Sequence, residues 1–265
     1  MSEINLNNLK KHGSEPYHIV AVHGGPGAQG DIAMLAAELS KNSGILEPYQ
    51  TYNTIEAQIL ELKSLIETNA NGKVTLIGHS WGAWLCYIIS ARYPEMVKKL
   101  ILIASAPFEV KYVKEAIKLR MSRLNQDEKN ELNSVYELLN CTEESLRNIA
   151  FEGLGQLMMK IDSYDLMPFN NKSVKYKADI FQQVWSEASE LRKKGYLLKI
   201  GKKIQCPVIA IHGDYDSHPY KGVQEPLSKI IKNFKFILLE ECGHYPWLER
   251  KAAVRFYESL TQELS

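Results

Sequence analysis

Gly78-His79-Ser80-Trp81-Gly82 is the feature that most restricts what this chain can fold into. It follows Lys73-Val74-Thr75-Leu76-Ile77, a short β-branched run with the character of a buried strand. It also opens an apolar stretch from Trp81 to about Tyr93, which Pro94 closes as a helix. A serine between two glycines at a strand-to-helix junction implies a turn too sharp for side chains on its flanks, with the hydroxyl held at the carboxyl edge of a sheet. A Gly-x-Ser-x-Gly pattern arises by chance about 0.1 times in a chain this long, so the strand-turn-helix setting carries most of the weight. The bland alternative is a glycine-flanked serine in an ordinary turn.

Strands of the same type recur at His18-Ile19-Val20-Ala21-Val22, Leu100-Ile101-Leu102-Ile103-Ala104, Val208-Ile209-Ala210-Ile211 and Phe234-Lys235-Phe236-Ile237-Leu238-Leu239. Helical patterns separate most of them. One runs over residues 32–39; another starts from an N-cap at Asn53 with Glu56 three residues on, carries Ile55, Ile59, Leu62, Leu65 and Ile66 at helical spacing, and ends near Asn71-Gly72. This alternation predicts a mostly parallel sheet with helices on both faces. Residues 109–200 have helical periodicity and no convincing strand, and are too many for a structureless loop. They are read as a helical lid inserted into a core formed by residues 1–108 and 201–265. Residues 109–124 interleave Val110, Val113, Ile117 and Leu124 with Lys111, Lys114, Lys118, Arg120 and Arg123. That pattern fits a half-buried lid helix, with membrane contact as the rival reading.

A serine hydroxyl becomes a nucleophile only beside a base, and a neutral imidazole acts as that base when a third group fixes its tautomer. The fourth strand runs into His212-Gly213-Asp214-Tyr215-Asp216-Ser217-His218-Pro219, and the fifth into Glu241-Cys242-Gly243-His244-Tyr245-Pro246. The order Ser80, Asp216, His244 matches hydrolases built on a parallel sheet rather than chymotrypsin-like or subtilisin-like proteases. Asp214 is the alternative acid. The first strand ends in His23-Gly24-Gly25-Pro26-Gly27, and the backbone amides of Gly25 and Trp81 are the natural pair to hold an oxyanion. A phosphate-binding loop is the weaker reading of this glycine-rich segment, because no Gly-Lys-Ser/Thr follows and Pro26 removes an amide.

His-Gly-Gly-Pro-Gly together with Gly-His-Ser-Trp-Gly resembles the proline iminopeptidase-like branch of the α/β-hydrolases over residues 17–107 and about 206–248. The resemblance implies an α/β-hydrolase fold with an inserted lid; the family's full fold starts with a two-stranded hairpin, whereas only about 17 residues precede the first clear strand here, so a sheet of about six strands with a shortened hairpin is expected. The resemblance also implies that the acid is the aspartate of a Gly-x-x-Asp turn, here Asp216 after Gly213, and the base the histidine of a Gly-His pair, here His244 after Gly243. The peptidases carry an Asp-Gln-Arg-Gly-x-Gly-x-Ser segment where this chain has Ile45-Leu46-Glu47-Pro48-Tyr49-Gln50-Thr51, so specificity for proline does not follow. The expected activity is cleavage of a small ester or amide through an acyl-enzyme. An iminopeptidase-like aminopeptidase, and a slow-turnover ligand receptor or a lyase on the same fold, are the alternatives.

Within the insertion, Phe151, Met158, Met159, Phe181 and Trp185 are the large apolar residues available to a substrate pocket, with Trp81 as a wall beside the nucleophile. Asp162, Asp165 and Glu187 are acids that could meet a free amino group. His23 and His79 are expected to brace their loops, and Trp84 to pack on the sheet. His212 and His218 lie close to His244 in this scheme, but their spacing matches no metal signature; neither metal nor cofactor is expected. Lys plus Arg exceed Asp plus Glu by 32 to 31, which gives no net field for nucleic acid or an anionic membrane. Residues 1–13 lack a signal-peptide core and no apolar run approaches membrane-spanning length, so a cytoplasmic protein with a small-molecule or short-peptide substrate is expected. Cys86, Cys141, Cys206 and Cys242 show no Cys-x-x-Cys pairing and are read as free thiols.

Overall fold

The computed structural model describes residues 8–169 and 174–265. The reading of the amino terminus falls partly on residues 1–7, outside them. In chain order the elements are β1 (Leu9–His12), β2 (Tyr17–Val22), β3 (Ala28–Gln29), α1 (Ala33–Leu39), β4 (Gly44–Pro48), α2 (Ile55–Asn69), β5 (Val74–His79), α3 (Trp81–Arg92) and β6 (Val97–Ile103). There follow α4 (Lys111–Arg123), α5 (Gln126–Leu139), α6 (Glu144–Asp162), β7 (Lys175–Tyr176), α7 (Ala178–Lys193) and α8 (Tyr196–Gly201). The chain closes with β8 (Val208–Gly213), α9 (Lys221–Ile230), β9 (Phe234–Leu239) and α10 (Ala253–Leu264).

The main sheet has the order β1-β4-β2-β5-β6-β8-β9. All its neighbours pair parallel except β1, which runs antiparallel to β4 with Leu9 opposite Pro48 and His12 opposite Ile45. Seven strands therefore stand where about six were expected. The two that the sequence hid are β1 and β4. β1 is Leu-Lys-Lys-His at the sheet edge. β4 is fully buried but carries Glu47, whose carboxylate meets His12 Nε2 at 2.6 Å. With only Ile45 and Leu46 as aliphatic residues between Gly44 and a buried Glu47, the strand gives too short a hydrophobic pattern to read.

Helices cover both faces. α2, α3, α8 and α9 pack against one through Ile59, Trp84, Leu197 and Leu227, all essentially inaccessible. α1 and α10 cover the other through Leu35, Phe256 and Leu260. α2 begins one residue later than the Asn53 cap implied: Thr54 is its N-cap, with Oγ1 accepting from the Ala57 amide at 3.3 Å.

The insertion between β6 and β8 is helical, with two departures from expectation. First, α4 buries Tyr112 and Ala116, whereas Val110 and Ile117 of the aliphatic stripe are exposed. Second, the two-residue strand β7 pairs antiparallel with β3, so that Ala28 faces Tyr176 and Gln29 faces Lys175. This pairing ties the insertion to the loop after β2. A cluster of its own, including Leu132, Val135, Phe151 and Leu154, gives the insertion a small core that also takes in Ala28.

Candidate active site

Ser80 sits between β5 and α3 with φ 53° and ψ −114°, a conformation that a non-glycine residue adopts only when its surroundings impose it. The flanking glycines explain how. A Cβ at Gly78 would lie 2.3 Å from the Gly82 carbonyl oxygen, and a Cβ at Gly82 would lie 2.3 Å from the Val22 carbonyl oxygen. The Ser80 amide donates to the Ile103 carbonyl of the neighbouring strand at 2.9 Å, which anchors the turn to the sheet.

The loops after β8 and β9 bring Asp216 and His244 together. His244 Nδ1 and Asp216 Oδ2 are 2.7 Å apart, and both side chains are buried. The other oxygen of Asp216, Oδ1, accepts from the His218 amide at 2.8 Å. His212 Nε2 donates to the His218 carbonyl at 2.9 Å and stands 3.3 Å from Asp216 Oδ2. Burial alone would raise the Asp216 pKa, but the adjoining imidazoles outweigh it and hold the carboxyl well below its ordinary range. For His244, burial pushes down and the Asp216 charge pushes up more, so its pKa is raised. His218 is pushed down to about 4, first by burial and then by the Arg120 charge. Asp214 is exposed and bonds only the Cys242 amide, at 3.2 Å. It does not reach His244.

Asp216, His218 and His244 also present three potential ligand atoms within 4.8 Å of one another. The 2.7 Å approach of His244 Nδ1 to Asp216 Oδ2 is a charge-assisted hydrogen bond that requires a proton on the line between them, so an ion sharing these two atoms would have to displace it. The arrangement suits an acid–base couple.

Ser80, His244, Gly25 and Trp81 line one pocket of about 200 Å³. Among the described residues the Gly25 and Trp81 amides donate to no protein acceptor, and Trp81 is the first residue of α3, where helix amides lack internal partners. Among the described residues no hydrogen bond joins Ser80 Oγ to His244, although both line the same pocket. Phe151, Met158, Met159, Phe181 and Trp185 all face the same pocket, with the Phe151 and Phe181 rings stacked 4.4 Å apart. Trp81 lines it and donates from its indole to Gln58 at 3.1 Å; Trp84 is buried behind, bonded to the Ala106 carbonyl and stacked on Trp185.

The two loop histidines have defined partners. His23 Nδ1 donates to the Gly24 carbonyl at 2.8 Å, and its Nε2 accepts from the Gln50 amide at 3.2 Å. Gln50 in turn donates to the His23 carbonyl, so it clamps the Gly24-Gly25 loop from both sides of the histidine. His79 Nε2 donates to the His244 carbonyl at 3.0 Å, and its Nδ1 faces Asp31 at 3.0 Å. Burial would raise the Asp31 pKa, but His79 lowers it overall.

Of Asp162, Asp165 and Glu187, only Asp162 lines the pocket. Its carboxylate takes a bidentate contact from Arg120, with Nη2 at 2.6 Å, and its carbonyl accepts from the His244 amide at 2.9 Å. Asp165 lies outside, near Arg250, and Glu187 accepts from the Ile55 amide at the start of α2. Sequence reasoning missed Asp31, Gln50 and the inward role of Arg120. Nothing in their local patterns marks them, because each reaches the site from an element distant in sequence.

A family model described as alpha/beta hydrolase fold matches residues 37–251. The chain belongs to the alpha/beta hydrolase fold family. It is similar to the proline iminopeptidase of Lactobacillus helveticus, 26% identical over an alignment covering 94% of this chain and 90% of that protein. Its similarity to Epoxide hydrolase 4 of Mus musculus is local, 34% identical over 55 residues, and spans only 15% of that protein. Among solved structures, VinJ superposes with a TM-score of 0.69 at 18% identity, covering 97% of this chain and 93% of that one. The monoacylglycerol lipase of Paleococcus ferrophilus gives a TM-score of 0.62 at 14% identity over 97% of both chains. These two likenesses concern the fold. No helix among the described residues is long and apolar enough to cross a membrane.

Proposed function

We propose that this hydrolase cleaves a small ester or amide through Ser80 as nucleophile, His244 as general base and Asp216 as the acid that orients it. The observation that carries the reading is the convergence, in one pocket, of a serine held in a strained elbow, a histidine bonded at 2.7 Å to a buried carboxylate, and two unpaired backbone amides. Ser80 Oγ attacks the substrate carbonyl as His244 Nε2 takes its proton. Asp216 keeps the other proton on Nδ1 and stabilises the imidazolium. The Gly25 and Trp81 amides receive the oxyanion. His244 then protonates the leaving group, and water cleaves the acyl-enzyme by the same steps in reverse. Residues 109–200 serve as a lid whose aromatic and methionine side chains hold the acyl group.

A proline iminopeptidase-like aminopeptidase is the second reading, favoured by the near full-length similarity to such enzymes. Against it, the pocket acid Asp162 is already engaged by Arg120. Intact-mass analysis after a fluorophosphonate probe, on wild type and Ser80→Ala together, tests the mechanism. One adduct that disappears in the variant is expected; no adduct on folded wild type would refute an activated serine. Competing p-nitrophenyl esters against prolyl arylamides then separates the two substrate readings.

A further inference from the structure

The pocket has two unlike ends. Phe151 lies close to Gly25, 4.0 Å from where a Cβ on that residue would stand, and with Phe181 it gives the oxyanion side an aromatic wall, where the one carboxylate, Asp31 beside Gly24, is turned onto His79. On the side of the base, Arg120, Asp162 and His218 line the wall. In acyl transfer the base hands its proton to the departing atom, so the leaving group must lie on the His244 side. The polar end therefore meets the leaving group, and the apolar end the acyl chain.

The ion pair at that end is oriented. The Arg120 side chain retains 27% of its accessible surface, whereas that of Asp162 retains 2%. The carboxylate stands behind the guanidinium, taking both contacts on Nε and Nη2. Arg120 lines the pocket, and among the described residues its Nη1 bonds no protein acceptor, so N–H donors of the guanidinium remain for a ligand. The other pocket carboxylate, Asp31, is 11% exposed and bonded to His79, so Arg120 is the most accessible of these three charged groups. Asp162 also fixes the arginine relative to the base, since its carbonyl receives the His244 amide.

We infer that Arg120, held by Asp162, reads a carboxylate on the leaving group of the substrate, so that the favoured substrates are esters or amides whose departing half is an anionic acid. This rests on the hydrolytic reading of the site and narrows it. One N–H of Nη1 and the outer N–H of Nη2 run parallel on the remaining edge of the planar guanidinium, and such a pair matches a carboxylate in a way a lysine would not.

The test compares the butyrate esters of 4-hydroxybenzoate and 4-hydroxybenzamide, each kcat/KM divided by its own hydroxide-catalysed rate. Wild type should favour the carboxylate roughly 10- to 100-fold, the range for a hydrogen-bonded charge. Arg120→Gln combined with Asp162→Asn, a neutral pair of similar shape, should bring the ratio near one. Asp162→Asn alone releases Arg120 from its partner and should raise the ratio above wild type. Calorimetric binding of 4-hydroxybenzoate against 4-hydroxybenzamide reads the same preference without turnover, so it remains decisive if the hydrolytic reading fails. Fluorophosphonate labelling with a wild-type ratio within threefold of one would overturn the inference and leave the serine mechanism standing. A wild-type preference that survives in the double variant would overturn the role of Arg120.

Discussion

Replacing Asp216 by Asn should abolish most turnover without unfolding the protein, for a reason the hydrogen bonds make explicit. The carboxylate accepts on both oxygens: the His218 amide on Oδ1 at 2.8 Å and His244 Nδ1 on Oδ2 at 2.7 Å. A backbone amide cannot become an acceptor, so the single carbonyl of Asn must stay with His218. The amide nitrogen then faces His244, and Nδ1 must accept rather than donate. The proton moves to Nε2, the nitrogen required to take the proton of Ser80. Loss of the wrong-tautomer kind costs about 10⁴-fold in kcat, or about 5.5 kcal/mol of transition-state stabilisation. A pH profile gives an independent reading. The Asp216 charge raises the His244 pKa, and activity requires the unprotonated base, so the wild-type acid limb should have its midpoint above the ordinary histidine value. In the variant the residual activity should titrate at lower pH. Steady-state kinetics from pH 5 to 9, with melting curves to check folding, would be run beside Asp214→Asn, which should stay within threefold of wild type because Asp214 is exposed. Above one tenth of wild-type kcat in Asp216→Asn, or an unmoved acid limb, would refute the reasoning.

Gly82→Ala should lower stability by about 1–3 kcal/mol in denaturant titration and reduce activity further, because its Cβ would strike the Val22 carbonyl oxygen at 2.3 Å and the elbow would have to shift. Phe151→Ala should move the optimum in a series of p-nitrophenyl esters from acetate to octanoate toward longer chains, since the ring bounds the apolar end of the pocket beside Gly25; an unchanged optimum would place the acyl group elsewhere. His218 protonates near 4 in the folded chain and near 6.5 when unfolded, so the unfolded state binds more protons between those values and stability falls as pH drops through them. His218→Asn should remove about 3 kcal/mol of that acid-side loss, measured as unfolding free energy at pH 7 and pH 4. A slope unchanged in the variant would show that His218 is not the responsible group.

The readable part of this protein was the part whose physics is local. β5, the glycines at 78 and 82 and the apolar α3 are contiguous, so strain, burial and chemistry coincide in one segment. The turns after β8 and β9 are equally compact, so the order Ser80, Asp216, His244 is legible in the sequence. Pairings between distant segments were not readable. β4 hides behind Glu47, whose burial is made tolerable by His12 on β1. The inner face of α4 belongs to Tyr112, Ala116 and the arginines, because the groups opposite it are the Asp162 carboxylate and the carbonyls of Ile161 and Tyr215. A hydrophobic stripe drawn on the sequence necessarily chose the wrong face there.

Those long-range pairings bear on how the insertion can work. It is joined to the catalytic core at two points that matter to chemistry. β7 pairs with β3 just beyond Gly25, and the Lys177 amide donates to the Gly27 carbonyl at 2.9 Å, which fixes the loop that supplies one oxyanion donor. At the opposite end of the pocket, the Asp162 carbonyl holds the His244 amide, and Gly243 packs so closely that a Cβ would lie 2.1 Å from that same carbonyl oxygen. A lid that swung away as a rigid unit would break both attachments and disorganise the donor and the base together. Substrate entry is therefore better served by local movement of the side chains that wall the pocket, such as Met158 and Met159, whose unbranched thioethers adapt to irregular shapes at small cost. In this arrangement the insertion that lines the pocket also holds the loops carrying Gly25 and His244 in register.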